Sequence, residues 1–199
     1  MRVIKWTMFK FYDSLLLFEE GYYTKEVNMD FVNGRLYFIK DEFFDYIGEA
    51  YLKANKEATQ RPHYYAFKDN STGLLWVIPC STQIDKYKNI IKKKIENNKK
   101  HDHIKIIKVN GIEQAFLFQD MFPITEEYIS NPYIKQDVFM EIKDLKKLAA
   151  IEKNAKKIIN LIRRGVKFTP TQPNIMRIEK ILTEESGNQN KPDSNKDTN

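Results

Sequence analysis

From Arg35 onward the apolar and polar positions fall into short, readable patterns that predict strands interleaved with helices. Leu36-Tyr37-Phe38-Ile39 is a strand candidate. Asp41 suits a helix cap, and Phe43, Phe44, Ile47, Tyr51 and Leu52 follow at helical spacing. Tyr64-Tyr65-Ala66-Phe67 and Leu74–Ile78 flank the turn cluster Asp69-Asn70-Ser71-Thr72-Gly73 and read as a hairpin, with Pro79 stopping its second strand. Ser81 or Thr82 is placed to cap a helix whose apolar stripe is Ile84, Tyr87, Ile90, Ile91 and Ile95. Ile104–Val109 and Ile112–Phe118 meet at Asn110-Gly111, the dipeptide that supplies the positive φ angles of a two-residue turn. Met121-Phe122-Pro123 ends that strand.

A long helix is expected from about Ile142 to Arg164, burying Leu145, Leu148, Ala149, Ala155, Ile158, Ile159 and Ile162, with Gly165 as its left-handed terminator. Thr169-Pro170-Thr171-Gln172-Pro173 is a rigid linker, and a short helix follows from about Asn174 to Leu182. Antiparallel strands among helices, with no βαβ alternation and no repeat, argue for an α+β fold.

The ends of the chain read differently. Residues 1–33 are dense in aromatics without a sustained period and form an N-terminal extension of unassigned role; Met29 is an alternative start of translation. Residues 34–183 form the domain. Residues 184–199 are polar and charged, and a disordered tail is expected.

Composition narrows the class. With 42% hydrophobic residues among 199, the chain can bury a core without staples. Lys and Arg number 33 against 27 Asp and Glu, a net charge of +6 that favours anionic partners such as nucleic acid. The single cysteine, Cys80, excludes an internal disulfide framework and a cysteine-rich zinc site, and suits the cytoplasm. No apolar run approaches the ~18–20 residues of a membrane span.

There is no phosphate-binding P-loop and no dinucleotide fingerprint, the seven glycines being scattered. His101-Asp102-His103 has metal-ligand chemistry but reads more simply as a polar loop. The segment Ile78-Pro79-Cys80-Ser81-Thr82 carries the clearest chemical content. A strand ends, two hydroxyl residues follow, and a helix begins, whose first-turn N–H groups and positive dipole end suit one phosphate. The same residues also suit plain N-capping. Arg61 and His63 flank Pro62 where the preceding strand starts. Arg61 carries a charge for a phosphorane and His63 titrates near neutrality, so both are catalytic candidates beside Ser81 and Thr82. From Lys86 to Lys105 the lysines Lys86, Lys88, Lys92, Lys93, Lys94, Lys99, Lys100 and Lys105 face only Asp85, Glu96 and Asp102, and Lys86, Lys88, Lys92 and Lys93 are candidates to grip a phosphate backbone. Tyr37 and Tyr64 are candidates to stack unpaired bases. The alternative to an enzyme is a non-catalytic RNA-binding protein using the same lysine-rich helix face.

These pieces, in this order, resemble the ToxN/AbiQ superfamily of type III toxin–antitoxin toxins, which includes the TenpN and CptN groups. The resemblance rests on Leu36–Ile39 before a helix, Arg61-Pro62-His63-Tyr64, Pro79-Cys80-Ser81-Thr82 with Lys86-Tyr87, Gln119–Ile124, Asn160–Gly165 and Phe168–Pro173, over about residues 35–183. It implies an antiparallel sheet core related to the MazF-like toxins, with surrounding helices that include one long C-terminal helix. It also implies cofactor-free, metal-independent cleavage of single-stranded RNA to 2′,3′-cyclic phosphate ends. The implied partners are cellular RNA and an inhibitory antitoxin of repeated RNA pseudoknots, held in a cyclic protein–RNA assembly, with phage defence as one role. By position the family's hydroxyl pair falls on Ser81 and Thr82, with the second commonly serine in relatives; its basic residue falls on Arg61, with His63 as a slipped alternative; and its lysine falls approximately on Lys86.

Overall fold

The computed structural model describes residues 31–52, 55 and 60–189, excepting the side chains of 185–189. The expectations for residues 1–30, for Met29 and for the tail beyond Gln189 fall outside that range. Thirteen elements follow in chain order: β1 (Leu36–Ile39), α1 (Asp41–Ile47), β2 (His63–Lys68), β3 (Leu75–Ser81), α2 (Ile84–Glu96), β4 (Ile104–Val109), β5 (Ile112–Leu117), β6 (Phe122–Ile124), β7 (Ile129–Pro132), β8 (Ile134–Lys135), β9 (Val138–Phe139), α3 (Leu145–Arg163) and α4 (Ile175–Gln189). The fold is α+β. An antiparallel sheet runs in the order β4-β5-β3-β2-β1-β7, with β6 alongside the first half of β3, and β8 and β9 form a separate two-stranded hairpin.

Strand alternation sorts the core into two faces. On one, Leu36, Tyr64, Trp76, Ile78, Cys80 and Phe116 pack under α3, which buries Ile151, Ala155, Ile158 and Ile159. On the other, Tyr37, Ile39, Tyr65, Leu75, Val77 and Phe122 pack under Phe43, Phe44 and Ile47 of α1 and Ile178 and Leu182 of α4. The β4–β5 hairpin carries a third cluster, in which Tyr87 and the flanking isoleucines of α2 cover Ile104, Ala115 and Leu117. Each buried isoleucine contributes about 1.5–3 kcal/mol of transfer free energy.

The Asn110-Gly111 turn has φ of 46° and 79°, as the dipeptide requires. Gly34 is required for a different reason. Its φ is 92°, and a Cβ there would lie 2.6 Å from the Ile142 carbonyl oxygen.

Several elements differ from expectation. Pro79 does not stop β3, which continues to Ser81. The Cys80 N–H donates to the Pro62 carbonyl, so the neighbouring Pro79 nitrogen points away from β2. On that side β6 pairs only as far as Val77 and β5 begins at Cys80, so no ladder bond is asked of the proline. α1 closes at left-handed Gly48, leaving Tyr51 and Leu52 outside it, and Asp41 does not cap it but accepts from Asn55 Nδ2. α3 starts later than expected because Asp144 caps it, accepting from the N–H groups of Lys146 and Lys147. Leu145 is consequently exposed. α4 runs past Leu182 to Gln189. Among the described residues no helix is long and apolar enough to cross a membrane.

Candidate active site

The hairpin register brings together the two segments that carry the sequence-predicted residues. His63 pairs with Pro79, and the Cys80 N–H reaches the Pro62 carbonyl at 2.9 Å. One further step along the same register sets Arg61 opposite Ser81. Arg61 is half-buried, and its charge acts on both His63 and Cys80, which locates it at this end of the hairpin. Its backbone is pinned by Asn55, whose Oδ1 accepts from the Arg61 N–H at 3.0 Å while its Nδ2 donates to the Ile39 carbonyl at 2.9 Å. Asn55 was not singled out from the sequence, because one loop asparagine gives no signal of the strands it joins.

The hydroxyl pair does not cap α2 in the expected way. The helix begins at Ile84, its cap position is Gln83, and no side chain caps it. Ser81 Oγ instead accepts from the Gln83 N–H at 3.2 Å in a short hydroxyl turn. Accepting that bond leaves the Ser81 hydroxyl proton free to donate. Thr82 is exposed, and its carbonyl accepts from the Ile84 N–H at 2.8 Å. The arrangement therefore presents two adjacent hydroxyls and a helix start with no side-chain cap, at the hairpin end from which Arg61 leads into β2. Asp85 in the first turn opposes an anion there, and Lys86 one residue later offsets it.

Three other site candidates are core residues. His63 is fully buried, neither ring nitrogen has a partner, and its ring lies between Phe44 and Phe122. Burial, reinforced by the Arg61 charge, lowers its pKa to about 3, so the ring stays neutral and shielded and is not the acid or base expected from the sequence. Tyr37 and Tyr64 are likewise covered. Tyr37 packs edge-on against Phe31 and accepts from the Val32 N–H; Tyr64 packs on Phe116. Neither offers a ring face to a base. Cys80 is buried on the α3 side, where burial raises its thiol pKa well above the ordinary range.

The lysines of α2 stand on the surface. Lys86 Nζ lies 5.6 Å from the Tyr87 ring centroid, Lys88 pairs with Glu113 at 2.7 Å, Lys92 approaches Glu96 at 4.0 Å, and Lys93 has no ion pair among the described residues. Exposed pairs of this kind are weak and exchange readily for a phosphate. Behind them a groove of about 670 Å³ runs between α2 and edge strand β4, walled by Ile91, Ile95 and Ile104 and rimmed by Lys88, Lys92 and Lys105. His101-Asp102-His103 packs against the C-terminal region. Asp102 bonds Lys157, and buried His103 lies 4.9 Å from Phe168. Among the described residues no group of three or more His, Cys, Asp or Glu could hold a metal ion.

No family model matches this sequence, and no curated protein matches it. The structure is similar to the solved structure of AbiQ, a lactococcal anti-phage endoribonuclease belonging to the type III toxin–antitoxin system. The TM-score is 0.61 at 14% sequence identity, and the match covers 78% of this chain and 99% of that one. At this identity the likeness shows the fold: this chain has an AbiQ-like α+β fold.

Proposed function

We propose that this chain is the toxin of a type III toxin–antitoxin pair, a metal-independent endoribonuclease that cuts single-stranded RNA. What supports the reading is the AbiQ-like fold, together with a hairpin end at which the Cys80 N–H bonds the Pro62 carbonyl, so that Arg61 and Ser81 follow from the same end. A phosphodiester seated there receives hydrogen bonds from the Ser81 and Thr82 hydroxyls on its non-bridging oxygens. The adjacent 2′-hydroxyl of the RNA loses its proton to solvent and attacks phosphorus. The bond to the 5′-oxygen breaks, that oxygen takes a proton, and a 2′,3′-cyclic phosphate remains. Arg61 neutralises the extra negative charge of the phosphorane, which is the differential stabilisation catalysis requires. Lys86, Lys88, Lys92 and Lys93 hold the flanking phosphates. Buried, neutral His63 takes no proton in this scheme.

An RNA antitoxin of repeated pseudoknots, bound over the Ser81–Thr82 site in a cyclic protein–RNA assembly, is the partner this reading implies, with phage defence as the role. The test is to induce the protein and its Ser81→Ala/Thr82→Ala double variant in bacteria and map cellular RNA ends. Growth arrest with new 2′,3′-cyclic ends, lost in the variant, is expected. Purified protein is expected to cut in EDTA. RNA binding without cleavage by soluble, folded protein would leave only the binding-module reading.

A further inference from the structure

β4 is the outer strand of the main sheet, and among the described residues it pairs only with β5. The register fixes which of its backbone groups are committed. The tight turn at Asn110-Gly111 makes Val109 and Ile112 a bonded pair, so Ile107 and Lys105 also exchange bonds with β5. The Phe118 N–H, which reaches the His103 carbonyl at 2.9 Å, continues the same phase. The N–H and C=O groups of Ile106 and Lys108 therefore point away from β5. Those of Ile104 point the same way, but its N–H is taken by the His101 carbonyl at 2.9 Å. Ile106 and Lys108 thus present donor and acceptor along an open edge.

Beside that edge the surface is apolar. The groove of about 670 Å³ has Ile91 and Ile95 on its helix wall and Ile104, Ile106 and Ile107 on its strand wall. Ile95 is 56% exposed. Isoleucines on both walls make a patch, where a scattered residue would need no explanation. The rim is basic, with Lys88 and Lys92 on α2 and Lys105 and then Lys108 on β4. The carboxylates around it are engaged: Glu113 by Lys88, Asp102 by Lys157, and Glu96 by Lys92 at 4.0 Å. Lys105 and Lys108 have no ion pair among the described residues.

Backbone donors and acceptors at strand spacing, an apolar wall beside them and a cationic rim are the chemistry that receives a peptide as an added strand. A second copy of this chain is disfavoured, because edge-to-edge pairing sets one lysine-lined rim against another. An RNA backbone uses the lysines but has nothing for the open N–H groups or the isoleucines. We propose that the groove between α2 and β4 takes an extended peptide, apolar and acidic in alternation, that pairs along the six residues of β4. Its apolar side chains lie against Ile91 and Ile95, and its carboxylates meet the lysines. This site stands without the nuclease reading: Lys88 and Lys92 serve both, while Ile95 and the open strand edge serve only the peptide.

The probe is a fluorescein-labelled, acetylated peptide of alternating valine and glutamate, titrated by fluorescence anisotropy into the full-length protein at physiological salt. Expected is saturable binding, at least tenfold tighter than that of the matching valine–lysine peptide. Two further peptides carry N-methyl groups on alternate amides, one on the valines and the other on the glutamates. Only one set of amides faces β4, so one of these peptides loses at least tenfold and the other keeps its affinity. Folded Ile95→Lys weakens the parent peptide at least fivefold, although it adds a cation. Absent binding of the parent peptide overturns the site. Equal affinity for the two methylated peptides overturns strand addition. Unchanged or tighter binding in Ile95→Lys reveals plain charge attraction and overturns the groove as the site. A labelled single-stranded oligoribonucleotide that binds where the peptide does not assigns the rim to RNA and overturns the peptide.

Discussion

Acidification is expected to destabilise this protein in part through His63, and the size of that part follows from where the residue sits. His63 is enclosed by Phe44 and Phe122 with no partner for either nitrogen. Desolvation, and then the Arg61 charge, lowers its pKa to about 3. In the unfolded chain it titrates near 6.5. Between those values the unfolded state binds a proton that the folded state refuses. The stability His63 contributes is therefore complete above about pH 6.5 and is lost as the pH falls towards 3. At pH 5 the loss is about 1.5 pH units at 1.36 kcal/mol each, or about 2 kcal/mol.

His63→Phe keeps the ring's shape and removes the titration. It also removes two unpartnered nitrogens, so the variant is expected to be at least as stable as the parent at pH 7.5. Urea unfolding of both proteins at pH 7.5, 6 and 5, with m held constant, measures the difference. Other groups act in both proteins and cancel, including His103, whose pKa burial also lowers, to about 4. Equal losses in parent and variant between pH 7.5 and 5 would refute a buried, neutral His63. RNA cleavage abolished in folded His63→Phe would refute its exclusion from the chemistry.

Gly34→Ala is expected to destabilise by at least roughly 1–3 kcal/mol, because φ is positive and the new Cβ collides with the Ile142 carbonyl; the denaturation midpoint reads this. Ile158→Ala, on the buried face of α3, should cost about 2–5 kcal/mol in the same assay. The Cys80 thiol should resist alkylation in the native protein and react once urea exposes it, and Cys80→Ala should retain RNA cleavage. Asn55→Ala should lower kcat for RNA cleavage more than it lowers stability, since it releases the Arg61 backbone; rescue by Asn55→Asp should be incomplete, because the carboxylate has no N–H for the Ile39 carbonyl.

The strands and helices that follow simple periods were legible from the sequence: the Asn110-Gly111 hairpin, the stripe of α2 from Ile84 to Ile91 and the centre of α3 formed as their patterns dictate, while Ile95 at the end of the α2 stripe is left exposed. What escaped was decided by partners distant in sequence. Pro79 marks a strand end to any local reading, yet it lies inside β3 because β6 and β5 leave a gap beside it. Asp144 outcompetes the apolar pattern from Ile142 for the start of α3, and Leu145 is left in solvent.

The same distinction runs through the site. Bringing the Arg61–His63 segment towards the Pro79 turn needed only the hairpin, which the sequence signals on both sides of the Asp69–Gly73 turn. The fates of His63, Tyr37 and Tyr64 needed to be known face by face, and period-two alternation is silent when α1 and α4 cover one side of the sheet and α3 the other. A strand buried on both faces reads as continuously apolar, so a histidine or tyrosine in it looks available when it is enclosed. Lys156 and Arg163 make the converse case. Acidic neighbours along α3 dilute their charge in the sequence. Only a one-residue bulge in β2, invisible to composition, brings Phe67 beside Trp76 on the α3 face, where the two cations cover the rings.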